Sequence, residues 1–260
     1  SMHVPSLDSD FQDYFRVTLA RTPELLEQVY RIRYDVYCRE FQYEREESCP
    51  GGLERDEYDP CSLHCLIVHR PSNASAGCIR LVLPNPAKLE CLLPMERFCG
   101  HSLTDPLQHP SRLPRAGVAE VSRLAVHTQF RRRLGEAESP TGMVAHDSDF
   151  SPDERRTFPL IGLALFCAGT AMMILAQRQH AFVMAEPRLA RRMQSVGFPF
   201  VQVGHPIEYH GSRAAYYVPV QRVLESMQGA AKNLYHFVFD SLQQDAARMD
   251  LNLSQLSTPH

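Results

Sequence analysis

A chain of 260 residues, 44% of them hydrophobic, can bury one large core or two small ones, which excludes disorder of the whole. A formal charge of −3 and a pI near 6.4 supply no global field for a polyanion, and with no DNA- or RNA-binding signature present, no nucleic-acid partner is expected. Eight cysteines are scattered without a CxxC pair, and the first ten residues carry neither a basic nor an apolar stretch, so reduced thiols, no signal peptide and a cytoplasmic location are expected.

In chain order, Phe15 to Ala20 alternates in hydropathy and reads as a strand. Thr22-Pro23-Glu24 then opens a helix with a hydroxyl cap, a proline at the first helical position and an acid at the positive end of the dipole. Its apolar face, Leu25, Leu26, Val29, Ile32, Val36 and Tyr37, runs to about Cys38. Glu40 to Pro60 has no period and is a loop; it contains Glu54 to Asp59, ERDEYD, whose composition alone describes a solvated turn. Leu63 to His69 and Cys78 to Leu83 read as an antiparallel hairpin. Cys61 and Cys65 bracket His64, but no second ligand pair stands at zinc spacing, so no metal is expected.

Pro84 to Arg115 reads as an irregular excursion with a short helix near Pro94 to Phe98, and Ala119 to Val126 as a strand. Arg131-Arg132-Arg133-Leu134-Gly135 precedes a polar insertion to about Phe150. Ser151-Pro152-Asp153-Glu154 is a capping box that introduces a long apolar helix to Gln179. The uncharged run Phe158 to Ala176 meets the length of a membrane span. Its Pro159, Gly162, Gly169 and Thr170, and its place between two sheet-forming halves, favour a buried core helix instead. There follow a strand at Ala181 to Ala185, a basic helix from Pro187 to Val196 closed by Gly197, strands at Phe198 to Val203 and Ala214 to Val220, and an amphipathic helix from Val223 to Leu251.

This order predicts an α/β fold, a mixed central sheet covered by helices, and it resembles the GNAT N-acyltransferase fold. Within that superfamily the chain resembles the acyl-homoserine-lactone synthases at eight positions in order: Arg33, Tyr37, Tyr43, Asp56, Asp59, Arg80, Glu120 and Arg123. The family's second aromatic is usually tryptophan, and this chain has none. The prolines from Pro84 to Pro114, the insertion from Glu136 to Phe150 and the C-terminal extension look more like the N-acyl amino acid synthases and, most of all, the acyltransferases associated with the PEP-CTERM/exosortase system of bacteria. The resemblance covers roughly residues 13 to 220; residues 1–222 are expected to form the GNAT-like domain and 223–260 a helical extension.

The resemblance implies an N-acyltransferase that moves a long-chain acyl group directly from an acyl carrier protein thioester, or from acyl-CoA, to the amine of an amino acid or related small acceptor, with no bound cofactor. Glu120 is the candidate base, and the strand carrying Ser122 and Arg123 is expected to offer a backbone N–H, within Ser122 to Val126, to the thioester oxygen. Arg33, Tyr37, Tyr43, Asp56, Asp59 and Arg80 are expected to shape the acceptor side; a purely structural charge network and core aromatics are the other reading. Arg131, Arg132, Arg133, Arg188, Arg191 and Arg192 form either solvated faces or a dock for an acidic carrier protein and its pantetheine phosphate. The usual pyrophosphate loop is met only loosely by Arg132 to Ala137, which favours the carrier protein over coenzyme A. Leu163, Phe166, Met172 and Met173 either line an acyl tunnel or are simply core. His205, His210, Gly211 and Arg213 either contact an acceptor carboxylate or form a plain polar hairpin. A lactone synthase using S-adenosylmethionine, a non-catalytic acyl-binding protein, and peripheral membrane association stay open beside the main reading.

Overall fold

The Thr22 hydroxyl accepts the Leu25 N–H at 3.3 Å and Pro23 fills the first helical position, so a helix (α2, Pro23–Arg33) begins where its capping signal stands. The computed structural model describes residues 7–85, 92–131, 150–249 and 252–253. A helix without a forecast (α1, Leu7–Tyr14) precedes the first strand (β1, Phe15–Leu19). Past Arg33 the turn widens into a seven-residue π-helix, Tyr34–Glu40, in which the Phe41 N–H reaches back to the Val36 carbonyl at 3.0 Å.

The hairpin is β2 (Ser62–His69) and β3 (Ala74–Val82). It starts earlier than the turn-like sequence suggests because Gly77 is inside the strand, where a Cβ would lie 3.1 to 3.2 Å from Leu165, Ile161 and the Ala125 carbonyl. The excursion holds a short helix (α3, Pro94–Cys99) and leads to β4 (Val118–Val126). Ser151 and Glu154 form the expected capping box, but the apolar run makes two helices, α4 (Pro152–Thr157) and α5 (Leu160–Leu175). Pro159, which lacks an N–H, stands at the break. Among the described residues no helix is long and apolar enough to cross a membrane; α5 is instead buried along most of its length. The polar insertion lies outside the described residues.

The chain continues with β5 (His180–Ala185), α6 (Pro187–Ser195), β6 (Val201–Gln202), β7 (Ile207–Glu208), β8 (Ser212–Pro219), α7 (Val220–Ser226) and α8 (Gly229–Arg248). The strand expected from Phe198 shrinks to two residues, since the Phe198 N–H goes to the Met193 carbonyl, closing α6, and Pro199 has none to give. The C-terminal helix is interrupted by extended backbone at Met227 and Gln228.

The strands run β1-β2-β3-β4-β5-β8-β6, with β7 paired to β8. Among the described residues only β4 and β5 pair in parallel, joined by the α5 crossover. One face, including Ile79, Leu81, Ala119, Val121, Ala181 and Val183, packs on α5 and α8. The other face is covered by α2 over Leu66, Val68 and Cys78, and by the excursion over Val118, Phe182 and Met184. From α8, Leu234, Val238 and Leu242 join the first core, and Asp245 accepts the Leu19 N–H at 2.9 Å on the outer edge of β1.

Candidate active site

On the face beneath α2, the register sets His64 opposite Arg80 and Arg80 opposite Ser122, a row of polar side chains across three strands. Arg33, in the last turn of α2, reaches the same row. Its Nε donates to Glu54 at 2.8 Å, and its two terminal nitrogens grip Asp59 at 2.7 and 3.1 Å. Arg80 donates to Asp56 at 2.6 Å, to Asp59 at 3.0 Å and to the Ser122 hydroxyl at 3.0 Å. Arg123 donates to Glu54 at 2.9 Å and Asp56 at 3.2 Å. Within the acidic turn Glu54 and Asp59 are therefore buried and Asp56 is half-buried, while Arg55 and Glu57 stay exposed. The shape of the turn is local: Asp56 accepts the Tyr58 N–H at 2.9 Å, an Asx turn, and Asp59 reaches back to accept the Asp56 N–H at 2.7 Å.

Burial opposes ionisation of Asp59, yet Arg33 and Arg80 overcome it and hold its carboxyl far below the ordinary range; Glu54 is lowered against burial in the same way by Arg33 and Arg123. Beside them His64 donates from Nε2 to the Asp59 carbonyl at 3.2 Å, and burial lowers it to about 4 despite the attraction of Asp59, so the ring is neutral at physiological pH. Glu54 and His64 escaped the sequence reading as members of this network. The signal for Glu54 is its place two residues before Asp56 in the same turn.

A cleft opens where the sheet parts. β4 pairs with β5 from Val118 to Val121 only, while β5 goes on with β8 as far as Ala185. On the other side of β4, Cys78 faces Ala125 and Arg80 faces Ser122, so Arg123 and Leu124 together oppose Ile79. This is a β-bulge with Arg123 at a φ of +49°, the kind of feature that persists when its surroundings enforce it. They do: Arg123 is tied to two acids, its guanidinium lies 5.6 Å from the Tyr37 ring centre, and the Tyr37 hydroxyl donates to the Leu124 carbonyl at 2.7 Å. The π-helix is what aims Tyr37 at the bulge.

The cleft holds about 250 Å³, with Glu120, Ser122 and Arg123 on one wall and Glu186, Leu189 and Arg192 on the other. Tyr209, His210 and Arg213 of the β7–β8 hairpin also line it, and the His210 ring packs 4.8 Å from that of Tyr43. Glu120 is 3% exposed and accepts the Met95 N–H at 2.8 Å. Burial pushes its carboxyl up to about 7 against the pull of that N–H and of Arg80, which leaves a group that can take a proton at neutral pH. Phe166 and Val183 form a shared wall between the cleft and an apolar void of about 20 Å³ lined also by Met173, Phe198 and Phe200.

The structure thus brings Arg33, Tyr37, Asp56, Asp59, Arg80, Glu120, Ser122 and Arg123 together, with Tyr43 at the hairpin. Of the basic residues, Arg188, Arg191 and Arg192 are all exposed on α6, and Arg192 also lines the cleft. Arg131 is committed elsewhere: it pairs with Glu40, donates to the Val126 carbonyl at 2.6 Å and covers the Phe41 ring. Arg132 and Arg133 lie outside the described residues. Met172 is core, and Leu163 packs against that core.

Residues 32–137 match the family model described as acetyltransferase (GNAT) domain. The fold is GNAT-like. It is similar to the AHL synthase LasI, with 15% identity over 83% of this chain and 98% of that one and a TM-score of 0.54. It is similar also to BjaI, a CoA-dependent acyl-homoserine lactone synthase solved with SAM and isopentyl-CoA (18% identity, 87% and 89% covered, TM-score 0.53). A third similarity is to FeeM, an N-acyl amino acid synthase from uncultured soil microbes (13% identity, 82% and 94% covered, TM-score 0.51). At these identities the likeness is one of fold. A comparison with curated proteins finds no match. The GNAT domain match contains Arg33, the acidic turn and the bulged strand, and it ends before β5 and α6 supply the opposite wall.

Proposed function

We propose that this chain transfers an acyl group directly from a thioester to the amine of an amino acid or related small acceptor. The observation that carries the reading is Glu120, a buried carboxyl near 7 in the cleft where the sheet parts. It takes a proton from the acceptor's ammonium, and the freed amine attacks the thioester carbonyl. A backbone N–H of the bulge, within Ser122 to Val126, holds the oxygen as charge builds on it. The attack forms the C–N bond; collapse restores the carbonyl, breaks the C–S bond and expels the sulfur as a thiol carrying the proton shed by the nitrogen. Both substrates held in one cleft supply the proximity, so no covalent enzyme intermediate is needed.

Carrier protein is the donor this reading favours, supported by exposed Arg192 at the cleft and exposed Arg188 and Arg191 beside it on α6. The excursion before β4 and the C-terminal helices support an enzyme of the type associated with the PEP-CTERM/exosortase system. Mass spectrometry of products from long-chain acyl carrier protein or acyl-CoA, an amino-acid pool and S-adenosylmethionine tests the whole. An acyl amino acid is the expected product. An acyl lactone with methylthioadenosine would mark a lactone synthase instead, and an intact thioester would sink acyl transfer.

The void beyond Phe166 is too small for an acyl chain unless that ring moves aside. Phe166→Ala is therefore expected to raise kcat/KM for long acyl donors relative to short ones by about tenfold or more, at a stability cost of about 3–5 kcal/mol, with Phe166→Leu as the milder variant. An unaltered chain-length profile in both would take α5 out of the acyl path.

A further inference from the structure

The charges beneath the cleft are closed on themselves. Arg33, Arg80 and Arg123 face Glu54, Asp56 and Asp59, and each guanidinium has carboxylate partners. Besides Glu120, the other charged walls are Glu186, Arg192 and Arg213. Arg213 differs from the three arginines of the network. It is half-buried, its Nε donates to the His210 carbonyl at 3.2 Å, and among the described residues no carboxylate lies within ion-pair distance of it. Glu186 follows Ala185, which pairs with Ala214, so it stands across from Arg213 with its carboxylate beside the hairpin turn at Gly211, yet no cation among the described residues lies within ion-pair distance of it; with Arg192, two arginines face this one acid.

A guanidinium taken partly out of water without a counter-charge is costly, and its forked, planar donors suit a carboxylate. Its bond to His210 fixes it to the hairpin turn, leaving the two terminal nitrogens for a ligand. The location decides which substrate supplies the anion. Arg213 belongs to the hairpin whose His210 packs on Tyr43, in the loop that leads to the acidic turn, whereas Arg192 stands on α6 with Arg188 and Arg191, on the donor wall.

We propose that Arg213 binds the carboxylate of the acceptor and so selects amino carboxylates over simple amines. The inference rests on the acyl-transfer reading for its substrate. The test compares the amino acid acylated best in the product screen with its carboxamide, in the wild type, Arg213→Gln and Arg213→Lys. Arg213→Gln is expected to lower kcat/KM for the amino acid about 10- to 100-fold, to leave the carboxamide within about threefold, and to leave the donor KM unchanged, with partial recovery in Arg213→Lys. An equal loss for both acceptors would mean a structural role, and a rise in donor KM alone would mean a phosphate contact; either overturns the proposal. A wild type indifferent to the carboxamide overturns it as well. Thermal shift with the amino-acid pool against the matching carboxamides needs no turnover. Carboxylate binding that weakens in Arg213→Gln while the thioester stays intact would refute acyl transfer and leave the Arg213 contact standing; no shift with either pool would refute the contact.

Discussion

Replacing Glu120 with Gln is expected to lower kcat/KM by about 10²- to 10⁴-fold and to erase the rising limb that the wild-type pH profile should show near pH 7. The same change is expected to stabilise the protein in alkaline solution. The folded state raises this carboxyl, so it favours the neutral form; the associated stability is present below the ordinary carboxylate value of 4.5 and is lost as pH rises through about 7. Gln is neutral throughout and can still accept the Met95 N–H. The variant's advantage in thermal melting should therefore grow between about pH 4.5 and pH 7 and level off near 3 kcal/mol. A variant that keeps the pH limb would place the base elsewhere, and one that melts like the wild type at pH 8 would mean that ionised Glu120 finds a partner.

Asp59→Asn is expected to destabilise by about 3–5 kcal/mol, because it leaves the fully buried Arg33 without its bidentate carboxylate. The sign with pH is opposite to that of Glu120. The fold depresses the Asp59 carboxyl, so its contribution is present above the ordinary value of 3.8 and is lost as pH falls through the folded value. Wild-type stability should decline below about pH 4 with a component that the Asn variant lacks. Asp56→Asn is the useful contrast, since its side chain keeps 24% of its exposure while touching Arg80 and Arg123. It should weaken acceptor binding more than it lowers the melting temperature. Equal melting of wild type and Asp59→Asn would show that the network does not hold the fold.

Much of the sheet was legible because β2, β3 and β5 are short apolar runs bounded by turn residues. The identity of the acidic turn was not. Its composition fits a solvated loop equally well, and what decides the matter comes from α2, β3 and β4, elements 21 to 69 residues away in sequence. The family pattern drew attention to Asp56 and Asp59 and passed over Glu54, which holds two arginines at once. The π-helix was equally hidden: Val36 and Tyr37 continue the apolar face of an α-helix, and the extra residue per turn shows in backbone bonds such as that from Phe41 to Val36. The hairpin carrying His210 and Arg213 reads as an ordinary polar loop until β8 is placed beside β5, which sets the hairpin against the cleft. Pro159, by contrast, stands in plain sight in the sequence, and its missing N–H is reason enough for the run to split there.

The bond from Leu19 to Asp245 bears on how the edge of the sheet is kept from pairing with a second molecule. β1 is the outermost strand at its end of the sheet, and an unpaired strand of alternating apolar residues is a template for a second molecule. Asp245 occupies one of its free N–H groups with a negative charge, and α8 covers the aromatic pair Phe11 and Phe15 beside it. The last helix thus acts as a guard against edge-to-edge association. Proteolysis within the link at Met227 and Gln228 is expected to free that edge while every residue lining the cleft stays on one fragment, so a nicked sample should self-associate with its cleft covalently whole.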